Sequence, residues 1–198
     1  MKHGKKHRAE VAKSLPEWRD EFMSYKALKR EVKLINPIRF NSNGKKRSRS
    51  WPTKEFVGSS RDRRSSVREM GFALLLAREL DKINTFYIDK EEDYIIGFRE
   101  LEIRAENVNG NEEMLELQKE ILGFHSEMVM LLHYSVINFA GLMKIVKKHK
   151  KRTDAYTSVY SFYMPRVLQQ PFFSTDLLYN LIRGCEEILD RLSPPSHP

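Results

Sequence analysis

The segment EEMLELQKEILGFHSEMVMLLHYSVINFAGLMKIVKKHKKRT, residues 112–153, contains no proline. A continuous helix of that length reaches about 60 Å at 1.5 Å per residue. Its apolar face can be covered only by a neighbour of comparable length. Residues from about 65 to 107 supply one. There Phe72, Leu75, Leu76, Leu80, Ile83, Phe86 and Tyr87, then Tyr94, Ile95, Phe98 and Leu101, recur at helical steps. Between the two segments NVNGN, at 107–111, reads as a turn. Long antiparallel helices joined by a short turn form the spine of a bundle.

The remaining pattern agrees. PEWRDEFMSYKALKREVKLI, residues 16–35, opens with Pro16 at a first-turn position. Trp18, Phe22, Tyr25, Leu28, Val32 and Ile35 follow at steps of three or four, which predicts one helix ending at Asn36-Pro37. Residues 37–66, rich in Ser, Arg and Lys with scattered Pro and Gly, read as a mobile loop. A last helix is predicted over about 175–192, capped by Ser174 or Thr175 and stopped before Pro194. No internal repeat and no convincing β-alternation interrupt this, so the expected class is all-α. At 198 residues the chain suits one domain with a real core, 1–192, and a tail at 193–198.

Several function classes fall away. No unbroken run of 18 apolar residues occurs, so no membrane span is expected. The basic start, MKHGKKHRAEV, lacks the apolar stretch of a secretory signal. Cys185 is the single cysteine, which rules out an intramolecular disulfide and a thiolate metal cage. A cytosolic or nuclear address fits these features.

Charge is unevenly spread. Residues 1–68 hold 20 Lys and Arg against 7 Asp and Glu, a net +13. Residues 69–127 hold 6 against 15, a net −9, and residues 128–198 hold 9 against 5, a net +4, giving +8 overall. A localised anion site explains this better than a uniformly basic surface. LMKIVKKHKKRTD, residues 142–154, packs six Lys or Arg between 144 and 152. At 100° per residue, with Lys144 at 0°, Lys147, Lys148 and Lys151 fall at about 300°, 40° and 340°. Leu142, Met143, Ile145 and Val146 fall on the opposite side. The four lysines therefore form one face, and Lys150 and Arg152 lie off it in positions consistent with plain solvation.

Such a face has a bland explanation. Like charges at these spacings repel by about 0.2–0.5 kcal/mol per pair. Cations at a helix C-terminus recover about 0.3–1 kcal/mol each from the macrodipole. That account calls for no partner elsewhere, yet one exists. With Tyr25 at 0°, Lys29 lies at about 40° and Lys33 at about 80°, the rim of a core-facing surface. Lys29 can simply snorkel. Alternatively, a tyrosine hydroxyl and ammonium groups from two helices converge on one anion.

Other readings stay open. GKKRSRS (44–50), RDRR (61–64) and the 144–152 cluster suit salt-sensitive nucleic-acid binding, although no zinc-finger or ribonucleoprotein motif accompanies them. A purely structural interaction bundle needs no ligand. Enzyme chemistry finds no HExxH, P-loop or G-x-S-x-G. His125, His133 and His149 have no metal-pair spacing and read as surface or core-edge residues. Glu91, Glu92 and Asp93 are neighbours rather than a placed acid/base pair.

MKHGKKHR, LPEWRDEFMSYKALKREVK, NFAGLMKIVKKHKKRT and VLQQPFFSTDLLYNLIRGCEEILDRL together resemble, in order, an SPX domain, and more narrowly the stand-alone SPX proteins of plants. The resemblance implies a short N-terminal helical hairpin packed on two long antiparallel helices, with short C-terminal helices. It implies a non-enzymatic sensor of phosphate status with no cofactor and no metal. Its regulatory ligand is an inositol polyphosphate, inositol hexakisphosphate or an inositol pyrophosphate, bound in a lysine-rich basin. The family's Tyr…Lys pair falls on Tyr25 and Lys29. Its K-x-x-K-K-x-x-K pattern falls on Lys144, Lys147, Lys148 and Lys151, and its N-terminal lysine on Lys2. Lys33 joins them on helical position. The implied partner is a MYB-type coiled-coil phosphate-starvation-response transcription factor, held off its promoters in nucleus and cytoplasm, with no direct DNA or membrane contact by this chain. His3 stands where the family usually has an aromatic residue, and Lys150 where plant members usually have an acidic one.

Overall fold

A computed structural model describes residues 2–35, 60–152 and 169–193, with side chains from 3–35, 67–152 and 169–193. Five α-helices carry the described residues: α1 (Lys2–Val11), α2 (Tyr25–Leu34), α3 (Ser60–Asn107), α4 (Asn111–Lys150) and α5 (Asp176–Leu192). Short 3₁₀ turns lie at Pro16–Trp18 and Pro171–Phe173. No strand occurs among the described residues. The all-α class, the hairpin on two long helices and the turn before Asn111 are as expected.

α3 and α4 run 48 and 40 residues, about 72 and 60 Å. Their facing stripes bury Phe72, Leu76, Ile83 and Tyr87 against Ile121, Met128, Leu131, Tyr134, Leu142 and Ile145, each no more than 1% exposed. α2 packs across both, and α5 lies along both on another side. α2 contributes Leu28, Val32 and Ile35, and α5 contributes Leu178, Ile182 and Cys185. By length and composition α4 could cross a membrane, since one 18-residue window has mean hydropathy 1.6. The sequence holds no unbroken apolar run of that length, and half of the window is buried inside the bundle. Its hydrophobicity is used by this core.

One boundary and one cap differ from the sequence expectation. α3 begins at Ser60 rather than about 65, so residues 60–66 are helical and not loop. That stretch contains neither Gly nor Pro, and arginine is a good helix former; its charge and serine content masked this. Residues 36–59, the bulk of the expected loop, lie outside the described residues. At α5, Thr175 occupies the cap position but makes no side-chain capping bond. Tyr179 N–H instead donates to the Thr175 carbonyl, and the Ser174 carbonyl accepts from the Tyr87 hydroxyl at 3.2 Å.

The largest difference is at 16–35. One helix was expected; the chain instead forms a 3₁₀ turn, an irregular stretch at 19–24, and α2. Breaking a helix strands backbone donors and acceptors, which is tolerable only where something else satisfies them. Here α3 and α4 do so. Asn138 Oδ1 accepts the Met23 N–H at 2.9 Å, and Glu79 accepts the Ser24 N–H at 2.8 Å. Lys82 donates to the carbonyls of Asp20 and Phe22, both at 2.9 Å, and the Tyr134 hydroxyl donates to the Glu21 carbonyl at 3.0 Å. Trp18 and Phe22 meanwhile pack edge-on against Phe86 and Tyr134. The apolar period survives the break because both halves face the same core. Gly141 lets the hairpin sit close: a Cβ there would collide with the Met23 methyl and crowd the His7 ring at 3.2 Å.

Asn138 is fully buried, and its amide nitrogen donates to the Tyr134 carbonyl at 3.0 Å. Asn138→Ala should lower unfolding free energy by about 1–3 kcal/mol, the cost of leaving a buried N–H unpaired. Urea denaturation measures this; an unchanged midpoint would show that the turn is not held from α4.

Candidate functional site

The C-terminal turns of α4 separate their residues as the helical projection requires. Leu142, Ile145 and Val146 are buried, while Lys144, Lys147 and Lys151 are exposed and Lys148 is half-buried. Facing them is α2, where Tyr25 is buried, Lys29 half-buried and Lys33 exposed.

Two helices thus bring several ammonium groups to one place. Lys148 is held below the ordinary lysine range by burial first, then by the positive charges of Lys29, Lys33, Arg152 and Lys151. Lys144 and Lys148, with Lys6, act in the same way on His3, whose pKa is lowered chiefly by burial. The structure therefore gathers Lys29, Lys33, Lys148 and Lys151, with Lys144 at the end nearer α1. Lys147 is exposed on the same helix. Lys2 lies in α1, its side chain outside the described residues.

Tyr25 is fixed by aromatic contacts from α1. The His3 ring meets it edge-on at 5.1 Å between centroids, and the His7 ring stacks on it at 5.4 Å. His3 thus takes the packing role of an aromatic residue at that position. Burial raises the Tyr25 pKa and lowers that of His7, so both are neutral at physiological pH. The wall that α1 lends to this site adds no charge at these rings.

Two residues are corrected by the structure. Arg152 is not simply solvated. Its Nη1 donates to the carbonyls of Lys33 at 2.9 Å and Ile35 at 3.3 Å, and Arg68 donates to the Leu34 carbonyl. Carbonyls at a helix C-terminus lack intrahelical partners and carry partial negative charge. An arginine of α3 and one just past the end of α4 therefore anchor the end of α2 beside the lysines. A single basic run gave no hint of this, because the acceptors lie far away in sequence.

His149, read as a core-edge residue, is fully buried and stacks on Phe72 at 4.5 Å. Burial lowers its pKa to about 4, so it is neutral amid the cations. Its spacing from Leu142, Ile145 and Val146 was the available signal. His125 approaches Glu186 at 3.3 Å and the exposed His133 approaches Glu10 at 3.8 Å. Among the described residues no group of three or more His, Cys, Asp or Glu is placed to hold a metal ion. Lys150 is exposed. Of the basic runs, 44–50 lies outside the described residues and 61–64 lies in the first turns of α3.

No family model matches the chain. It is 44% identical over 199 residues to SPX domain-containing protein 2 of Arabidopsis thaliana, covering 98% of this chain and 67% of that protein. It is 43% identical over 197 residues to SPX domain-containing protein 1 of Oryza sativa subsp. indica, covering 98% and 66%. It is 42% identical over 196 residues to SPX domain-containing protein 1 of Arabidopsis thaliana, covering 98% and 72%. The chain thus spans about two thirds of the length of such relatives. The fold matches, with a TM-score of 0.71 and 22% identity, the SPX domain of Chaetomium thermophilum glycerophosphodiester phosphodiesterase 1, solved in complex with inositol hexakisphosphate. The match covers 97% of this chain and 99% of that one.

The neutral buried His149 makes stability depend on pH. With a folded pKa of about 4 against 6.5 in the unfolded chain, its contribution is full above 6.5 and is lost as pH falls through 4. His149→Phe keeps a ring on Phe72 and removes the titration. Measured by urea denaturation from pH 7 to 4, the variant should gain on the wild type as pH falls. His3 and His7 titrate alike in both proteins and cancel. A difference that does not change with pH would contradict the buried neutral state.

Proposed function

The chain belongs to the SPX domain family, and on that footing we propose that it is a phosphate-status sensor binding inositol polyphosphates or pyrophosphates between α2 and α4. One observation carries the reading: the half-buried Lys148 sits in the combined field of Lys29, Lys33, Arg152 and Lys151. A fold gains nothing from such crowding. A compact polyanion reverses its sign, because each phosphate takes ammonium donors that otherwise repel one another.

The ligand groups are Tyr25, Lys29, Lys144, Lys147, Lys148 and Lys151, with Lys2 and Lys33 as further candidates. Lysines act as movable point charges that adapt to phosphates around a ring, and the Tyr25 hydroxyl donates without adding charge. The inositol hexakisphosphate complex of the Chaetomium SPX domain supports this ligand class. The reading extends to regulation in nucleus and cytoplasm. Ligand-bound, the chain holds a MYB-type coiled-coil phosphate-starvation-response transcription factor away from DNA, as the resemblance to stand-alone plant SPX proteins implies. Ligand changes partner affinity only if it binds the partner-competent arrangement more tightly, so the two affinities must be reciprocal.

Isothermal titration with inositol hexakisphosphate near physiological salt tests this, wild type beside Lys148→Ala. Loss of one charged hydrogen-bonding partner costs about 1.5–3 kcal/mol, roughly tenfold to a hundredfold in Kd. The wild type should bind at one site and co-elute with the transcription factor only when ligand is present, and the variant should be impaired in both. No binding, or weak binding indifferent to the substitution, would leave a ligand-independent bundle, in which removing Lys148 merely relieves repulsion.

A further inference from the structure

A concavity lies in the hairpin itself, next to the basin, with Tyr25 and Lys29 common to both. It encloses about 440 Å³ between α1, the irregular stretch before Tyr25, and α2. This is a typical size for a ligand cleft. Its floor is apolar and recessed: Val11 is half-buried, and Phe22, Met23 and Tyr25 are 4%, 3% and 7% exposed. Its rim is cationic. Lys5 and Arg8 come from α1, Arg19 from the connecting turn, and Lys26 and Lys29 from α2, against the single carboxylate of Asp20. Arg19 is partly engaged, donating to the Ala12 carbonyl at 3.0 Å. Lys5, Arg8 and Lys26 are exposed.

We propose that this hairpin groove binds an acidic peptide segment that inserts one bulky apolar side chain between α1 and α2. Each part of the surface selects for part of that ligand. Rim cations of one sign steer and orient an acidic chain, and the apolar floor rewards a buried anchor residue. A compact polyphosphate satisfies the rim but leaves the floor uncovered. A bilayer is flat, and the floor lies behind a charged edge it cannot enter. Tyr25, Lys29 and the His7 ring are shared with the basin; Arg8 and Lys26 line the groove and are not among the basin's ligand groups. The inference therefore stands whether or not the basin takes an inositol polyphosphate.

The test is fluorescence anisotropy of a labelled, Asp/Glu-rich peptide with a single central Trp, titrated with the full chain near physiological salt. Arg8→Ala/Lys26→Ala should weaken binding roughly tenfold or more, while Lys144→Ala/Lys148→Ala leaves it within about twofold. Replacing the Trp by Ser in the peptide should weaken binding comparably. Arg8, Lys26 and Lys144 are exposed and Lys148 is half-buried, and thermal unfolding verifies that both variants fold. Equal loss in the two double variants would place the peptide in the basin and overturn the proposal. So would indifference to the Trp, or binding to phosphatidylserine vesicles but not to the peptide.

Discussion

The hydrogen bond from the Met23 amide to the buried Asn138 side chain fixes where α2 and its lysines stand. It holds an unwound stretch against α4, and α2 starts directly after it. Were residues 16–35 a single straight helix, Tyr25 and Lys29 would be presented at another angle to α4. The same stretch lines the groove between α1 and α2. Five tertiary hydrogen bonds from α3 and α4 satisfy the backbone groups that the break strands. The other end of α2 is fastened as well, by Arg68 and Arg152 on its terminal carbonyls. α2 is therefore a short helix clamped at both ends, and the clamps bring lysines from two elements together against their mutual repulsion.

The opposing magnitudes explain why this is tolerable. Repulsion between exposed lysines is a few tenths of a kcal/mol per pair. Burying Leu28, Val32 and Ile35 of α2 is worth about 1.5–3 kcal/mol each. Packing wins, and the cluster remains charged. Neutral rings beneath it, His3, His7, Tyr25 and His149, add structure without further repulsion. The acidic stretch of residues 69–127 leaves the positive potential concentrated at this end of the long helices. A polyanion arriving here meets a site already assembled by apolar contacts, which reduces the ordering that binding must supply.

Much of this was legible in the sequence, for identifiable reasons. α3, α4 and α5 follow from apolar steps of three and four, because long helices in a bundle have no other way to bury their faces. The lysine face followed from the same arithmetic, and its counterpart on α2 from the position of Lys29 beside Tyr25. The unwound stretch at 19–24 was not legible. Its period is continuous with α2, and the groups that compensate it, Glu79, Lys82, Tyr134 and Asn138, lie far along the chain. Arg152 was missed for the same reason: its role depends on carbonyls of α2, and charge runs carry no information about acceptors. His149 was different. Its spacing placed it on the buried face, and its polarity obscured that. The family resemblance supplied the ligand class, which helical periodicity alone could not.

The account's central claim is that α1 and α2 form one wall of a polyanion basin whose other wall is the C-terminal end of α4. Amide hydrogen exchange of the chain with and without inositol hexakisphosphate tests it directly. Relief of repulsion across the α2–α4 junction should slow exchange in α1, α2 and the last turns of α4, leaving the α3–α4 turn at 108–110 unchanged. Protection confined to α4, or absent from the hairpin at saturating ligand, would contradict a basin built from both elements.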